Sequence, residues 1–66
     1  MSKSKEVELI QLFHALCKVH EEGNYPVCVE LAESMKAVSR SKGLHKQLNR
    51  IIQAEGRYNP VLLWGN

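Results

Sequence analysis

Sixty-six residues, two cysteines and a net charge of +2 argue against a multidomain enzyme, a disulfide-stabilised secreted scaffold and a membrane-spanning chain. A chain this short supports one domain, residues 1–66, with a marginal core, and two cysteines are too few for a disulfide framework. No apolar run approaches the roughly 20 residues that cross a bilayer. Since the first residues also lack the apolar stretch of a secretory signal, we expect a cytoplasmic protein with reduced thiols.

The charge is distributed unevenly along the chain. Residues 1–35 carry three lysines against six glutamates, whereas residues 36–66 carry six basic residues against one glutamate. This asymmetry indicates either a basic surface for nucleic acid or pairing of acidic and basic regions between two subunits. An ordinary solvated surface that happens to be basic is the third interpretation.

The first predicted element is a helix over about residues 4–22. Ser4 is its expected N-cap, and Gly23 is the expected residue beyond its end. Its apolar residues cover more than half of the helical wheel, which is more than one neighbouring helix can cover. We therefore expect this helix to lie at the centre of the fold or to face a second subunit. The expected partner or dimer interface consists of Leu9, Leu12, Phe13, Leu16, Val19, Leu63 and Trp64.

The second and third predicted helices cover about residues 26–39 and 44–55. Asn24 can cap the second helix, and the short connection before it predicts an antiparallel hairpin. The apolar stripe of the third helix is rotated by roughly 145° from that of the second. This rotation predicts a break at residues 39–43, where Gly43 would adopt the unusual backbone dihedral. A single long second helix that uses both faces is the alternative.

Residues 57–66 are predicted to form an apolar, non-helical tail. Left in water, Val61, Leu62, Leu63 and Trp64 would expose an apolar patch of roughly a few hundred Å². We expect the tail to fold back so that Trp64 packs against the core of its own chain or of a dimer partner. A frayed terminus and a mobile hook for another protein are the alternatives. The predicted fold is thus all-α, a helical hairpin with a third short helix and this tail.

A set of small and aromatic residues follows a spacing found in a known helical repeat. The set is Ala15, Leu16, Val19, Gly23, Tyr25, Cys28, Ala32 and Met35. Across residues 12–38 this spacing resembles a single hairpin of the tetratricopeptide family. The chain departs from that family at Cys28 and Met35, where the family most often has alanine, and it lacks the usual proline after the second helix. One repeat cannot form the family's grooved solenoid, so the resemblance implies a helix-pairing geometry and a protein-binding role.

His14, Cys17, His20 and Cys28 are of the residue types that bind zinc, but their spacing does not suit one ion. On one helix His14 and His20 are roughly 9 Å apart along the axis and about 120° apart around it, whereas zinc bonds are about 2 Å long. A partial site of Cys17, His20 and Cys28 is the alternative. A Cys28–His20 nucleophile pair would lack an orienting acid and an oxyanion hole. We expect no metal, no cofactor, no small-molecule substrate and no enzymatic activity.

The third predicted helix has a polar face rich in cations and amides, which are side chains that hold phosphates or read base edges. Together with the preceding helix and turn it suits a helix-turn-helix. On the second helix, Lys36 is expected to point outward. The possible nucleic-acid contacts are Arg40, Lys42, Lys46, Asn49, Arg50 and Gln53.

Two functions follow from these patterns. The first is a non-enzymatic helical protein that acts by self-association, as a homodimer, or by binding a larger protein partner. The alternative is a small helix-turn-helix regulator that binds nucleic acid. The small size suggests a regulator of bacterial or phage type.

Overall fold

A computed structural model describes the backbone of residues 2–63 and the side chains of residues 5–61. It contains α1 (Ser2–Glu21), α2 (Tyr25–Val38), α3 (Lys42–Gln53) and a C-terminal 3₁₀ helix (Pro60–Leu63). The described backbone contains no strand, so the predicted all-α class is confirmed. The alternative of one long second helix is wrong, because the chain leaves the helical conformation between α2 and α3. None of the described helices has the length and apolar character needed to cross a bilayer.

The central helix is α2, so the first of our two alternatives for helix one, a central position, was wrong, and the second, a face towards another subunit, stays a prediction. α2 packs against both α1 and α3, whereas the 3₁₀ helix packs against α1 and α3. Within the described backbone, α1 and α3 do not approach each other closely. Short turns keep consecutive helices adjacent. Because α2 is the middle helix in the chain, it packs against the helix before it, α1, and the helix after it, α3.

The core is built from all three helices. Its fully buried side chains are Leu16 of α1, Cys28, Ala32 and Met35 of α2, and Leu48 and Ile51 of α3. Four of the predicted partner residues, Leu9, Leu12, Phe13 and Val19, pack half-buried against this core.

The wide apolar face of α1 is therefore occupied largely by its own chain. The apolar side chains that α1 leaves exposed are Val7, with 52% of its surface accessible, and Ile10, with 56%. On α1, these two residues are more accessible to another molecule than the predicted Leu9, Leu12, Phe13, Leu16 and Val19.

α1 and α3 end in the same backbone motif, in which two N–H groups close the last turn onto its carbonyls. At the end of α1, Gly23 N–H donates to His20 C=O at 3.0 Å, and Asn24 N–H donates to Val19 C=O at 2.9 Å. Gly23 has φ +77°, as predicted. At the end of α3 the left-handed position is filled by Glu55, with φ +57°, where glycine is usual.

The predicted N-caps of the first two helices need correction. α1 begins at Ser2, upstream of Ser4, because the helical pattern extends further towards the N-terminus than the serine suggested. Asn24 does occupy the N-cap position of α2, but its side chain makes no capping hydrogen bond. Its ψ of 69° lies outside the extended region of an ordinary N-cap, because the same residue also closes the end of α1.

The turn between α2 and α3 is made by serines, so the role predicted for Gly43 was wrong. Ser41 N–H donates to Ser39 Oγ at 3.1 Å, and Leu44 N–H donates to Ser41 Oγ at 3.2 Å. The second bond is a standard N-cap for α3. His45 Nε2 lies 2.5 Å from the Ser39 carbonyl oxygen, which accepts the hydrogen bond when Nε2 carries a hydrogen. These bonds change the chain direction without a left-handed residue, and Gly43 lies inside α3.

The tail returns to the helices, but Pro60–Leu63 within it is helical, contrary to our expectation. Asn59 Oδ1 accepts a hydrogen bond from Val61 N–H at 3.0 Å, and the restricted φ of Pro60 suits a first helical turn. Pro60 is fully buried, whereas Val61 is 57% exposed. The predictions for the side chains of Leu63 and Trp64 lie outside the described residues.

Candidate functional site

The exposed side of α3 carries a row of cations. Lys42, Lys46 and Arg50 are exposed and recur every four residues, so they lie on one face of the helix over about 12 Å. Gln53 is exposed at the end of this row, and Leu48 and Ile51 are buried on the opposite side. The amphipathic pattern of α3 therefore forces these cations into solvent.

Arg40 adds a fourth cation beside this row. It is exposed in the turn that leads into α3. The first turn of α3 contains no acidic residue, so its positive helix dipole is not offset by a nearby carboxylate. We call Arg40, Lys42, Lys46 and Arg50 the basic face.

Asn49, another predicted nucleic-acid contact, is engaged within the protein. Lys36 Nζ donates to Asn49 Oδ1 at 2.6 Å, and both residues are partly buried. Lys36 was expected to point outward, but it links α2 to α3 instead. No local pattern reveals this pair, because its partners lie on different helices. Asn49 therefore belongs to the helix–helix contact, while the other five predicted residues are exposed.

Most of the exposed acidic residues lie elsewhere on the surface, and the exception, Glu55, follows the C-terminal end of α3. Glu6 and Glu8 of α1 and Glu30 and Glu33 of α2 are exposed, whereas the exposed charges of α3 itself are all basic. The charge asymmetry along the sequence thus becomes a spatial one. A polyanion is attracted to α3 and repelled by the glutamates of α1 and α2.

The candidate zinc ligands do not assemble into a site. Among the described residues, no group of three or more histidine, cysteine or acidic side chains is placed to hold a metal ion. The ring of His20 packs edge-on against Tyr25, with centroids 5.7 Å apart, and its Nε2 lies 3.4 Å from the carbonyl oxygen of Arg57. His14 is exposed beside Phe13. The two histidines therefore contact different residues, His20 contacting Tyr25 and His14 contacting Phe13.

Both cysteines are free thiols, Cys28 buried and Cys17 partly buried. Burial raises the pKa of both thiols above the ordinary value, and the carboxylate of Glu21 raises the pKa of Cys17 further. Neither thiol is therefore an activated nucleophile, because reactivity requires the thiolate.

These pKa shifts predict an alkaline loss of stability. In the unfolded chain the thiols ionise near pH 8.5, below their folded pKa values, so the unfolded state has lost more protons above that pH. Stability contributed by the thiols is present below about pH 8.5 and declines as pH rises through the folded pKa values. Urea unfolding at pH 7 and pH 9.5 should show a larger decline for the native chain than for the Cys17→Ala/Cys28→Ala variant. Equal declines would contradict the prediction.

Comparison of the chain with protein-family models, curated proteins and solved structures gave no match. The resemblance of residues 12–38 to a tetratricopeptide hairpin therefore gains no support from them.

Proposed function

We propose that this protein is a small, non-enzymatic nucleic-acid-binding protein that holds the phosphate backbone with the basic face. The observation that carries the proposal is the exposure of all four cations around one helix, with most of the exposed acidic residues on α1 and α2. Lysine and arginine on such a surface bind nucleic acid by replacing the counterions of phosphates. The helix–turn–helix order of α2 and α3 supports the proposal as well.

The contacts are expected to be with phosphates rather than with bases. Asn49 is the amide best placed among the cations to recognise adenine, but its oxygen accepts from Lys36. Gln53 is the remaining exposed amide of the predicted set. Because phosphate contacts carry no direct sequence information, binding by the basic face should depend little on sequence and strongly on salt.

Fluorescence anisotropy with labelled duplex and single-stranded oligonucleotides of random sequence tests this function. Four phosphate contacts predict that log Kd for duplex rises with log salt concentration with a slope of about 3 to 4. Removing Lys46 and Arg50 in the Lys46→Gln/Arg50→Gln variant should weaken binding and lower this slope by about 2. The melting temperature should not fall, because both side chains are exposed.

Lys18→Gln is the matched control, since it removes an exposed cation from α1. It should alter binding much less than Lys46→Gln or Arg50→Gln does when each is made alone. Absence of binding to any oligonucleotide at low salt would refute the function. An effect of Lys18→Gln as large as that of Lys46→Gln would mean that net charge alone, and not the basic face, drives association.

A protein partner or a second copy of the chain is the second candidate. It is favoured by Val7 and Ile10, which are three residues apart and both more than half exposed on α1. Adjacent exposed apolar side chains are typical of association surfaces. Sedimentation at micromolar concentration should then show a dimer that the Val7→Ser/Ile10→Ser variant converts to monomer. A monomer for both proteins would remove self-association through this surface.

A further inference from the structure

A groove of about 600 Å³ lies between the N-terminal end of α2 and the C-terminal end of α3. Its apolar lining comes from Pro26 and Val29 of α2 and from Ile52 of α3. None of the cations of the basic face lines it. The groove is therefore separate from the proposed nucleic-acid interface, although α3 contributes to both.

Two carboxylates stand at the edge of this groove. Glu30 and Glu55 both line it and are exposed, and the carboxylate of neither takes part in a hydrogen bond or ion pair among the described residues. Arg57 also lines the groove, but its guanidinium lies over the ring of Tyr25, 5.7 Å from the ring centroid. The C-terminal end of α3 adds the partial negative charge of the helix dipole. The groove is thus apolar inside and mainly acidic at its edge.

Glu55 occupies its position against the preference of the backbone. Its φ of +57° is a left-handed conformation that is unfavourable for a residue with a side chain. At the equivalent position after α1 the chain has Gly23, which adopts this conformation without that cost. A strained residue is a reason to look for a function, and here the strained residue places a carboxylate beside an apolar groove.

We propose that this groove binds a peptide segment of a protein partner that presents an apolar side chain next to a lysine or arginine. The apolar side chain would pack on Val29 and Ile52, and the cation would lie between Glu30 and Glu55. The apolar lining and the two unpaired carboxylates together favour this peptide over other segments. An acidic segment would be repelled, and a purely apolar one would leave the carboxylates unpaired.

Titration of ¹⁵N-labelled protein with the tripeptide acetyl-Leu-Lys-Leu-amide tests this proposal. Amide shifts should concentrate at Val29, Ile52 and Glu55. Two comparison peptides have glutamate or uncharged norleucine in place of the lysine. Both should bind more weakly than the lysine peptide, and the glutamate peptide should bind most weakly. Glu55→Gly should raise the melting temperature by relieving the backbone, yet weaken binding of the lysine peptide by about two- to fivefold, as expected for one exposed ion pair.

The controls separate this groove from other effects. Glu33→Gln removes an exposed carboxylate of α2 that does not line the groove and should leave peptide affinity unchanged, as should Lys46→Gln/Arg50→Gln on the basic face. The proposal is overturned if the groove amides do not shift, if the glutamate peptide binds equally well, or if Glu55→Gly retains full affinity. Shifts of the groove amides on dilution of the protein alone would assign the groove to a second copy and also overturn it.

Discussion

Replacing Gly56 by alanine is expected to destabilise the protein by about 3–5 kcal/mol, enough to unfold much of a chain of this size. Two causes act together. Gly56 has φ +87°, and a Cβ there would overlap the carbonyl oxygen of Tyr25 and lie 2.9 Å from its carbonyl carbon. These are backbone atoms at the start of α2, so relief requires the end of α3 to move away from α2.

Two other glycines provide matched controls. Gly23 has φ +77°, but a Cβ added there would have no atom within 4 Å, so Gly23→Ala carries only the backbone strain of roughly 1–2 kcal/mol. Gly43 is helical with open space around it, the nearest atom to an added Cβ being Ser41 Oγ at 3.9 Å. Gly43→Ala should stabilise the helix by about 0.5–1 kcal/mol.

Urea unfolding followed by circular dichroism should therefore rank the proteins in a fixed order of stability. Gly43→Ala should be the most stable, followed by the native chain, Gly23→Ala and Gly56→Ala. Equal losses for Gly23→Ala and Gly56→Ala would show that the dihedral alone matters and that Gly56 does not pack against Tyr25.

Deleting residues 60–66 is expected to lower the free energy of unfolding by about 2–4 kcal/mol, the range for losing one or two well-buried side chains. Pro60 is fully buried, and the 3₁₀ helix packs against both α1 and α3. In the described backbone α1 and α3 are not close neighbours, so the 3₁₀ helix adds packing at both of them that α2 does not provide. Removal of the tail exposes the core between them, and differential scanning calorimetry would measure the loss.

Shorter changes locate the effect within the tail. Val61→Ser should alter stability by less than about 0.5 kcal/mol, because Val61 is largely exposed. Deleting residues 64–66 alone distinguishes the contribution of the last three residues from that of the 3₁₀ helix. Blue-shifted tryptophan emission of the intact chain would support the prediction that Trp64 is packed. An unchanged melting temperature after deletion of residues 60–66 would contradict the role given to Pro60.

The three helices and the polarity of α3 could be predicted from the sequence because their signals are local. Apolar residues recur at helical spacing, Gly23 supplies the left-handed residue after α1, and Pro26 is tolerated only near a helix start. The same periodicity places Lys42, Lys46 and Arg50 on one side of α3. Each of these features depends on residues within one or two helical turns, so a linear pattern records it.

The arrangement of these helices was decided by contacts that no linear pattern records. The apolar face of α1 could serve a partner or the core of its own chain, and only the packing of α2 and the 3₁₀ helix assigns most of it to the core. The hydrogen bond from Lys36 to Asn49, the approach of Gly56 to Tyr25 and the groove edged by Glu30 and Glu55 all join different helices. Periodicity gives the direction of a side chain around its own helix axis, but its neighbour depends on how the helices pack, which is set by the burial of the whole core.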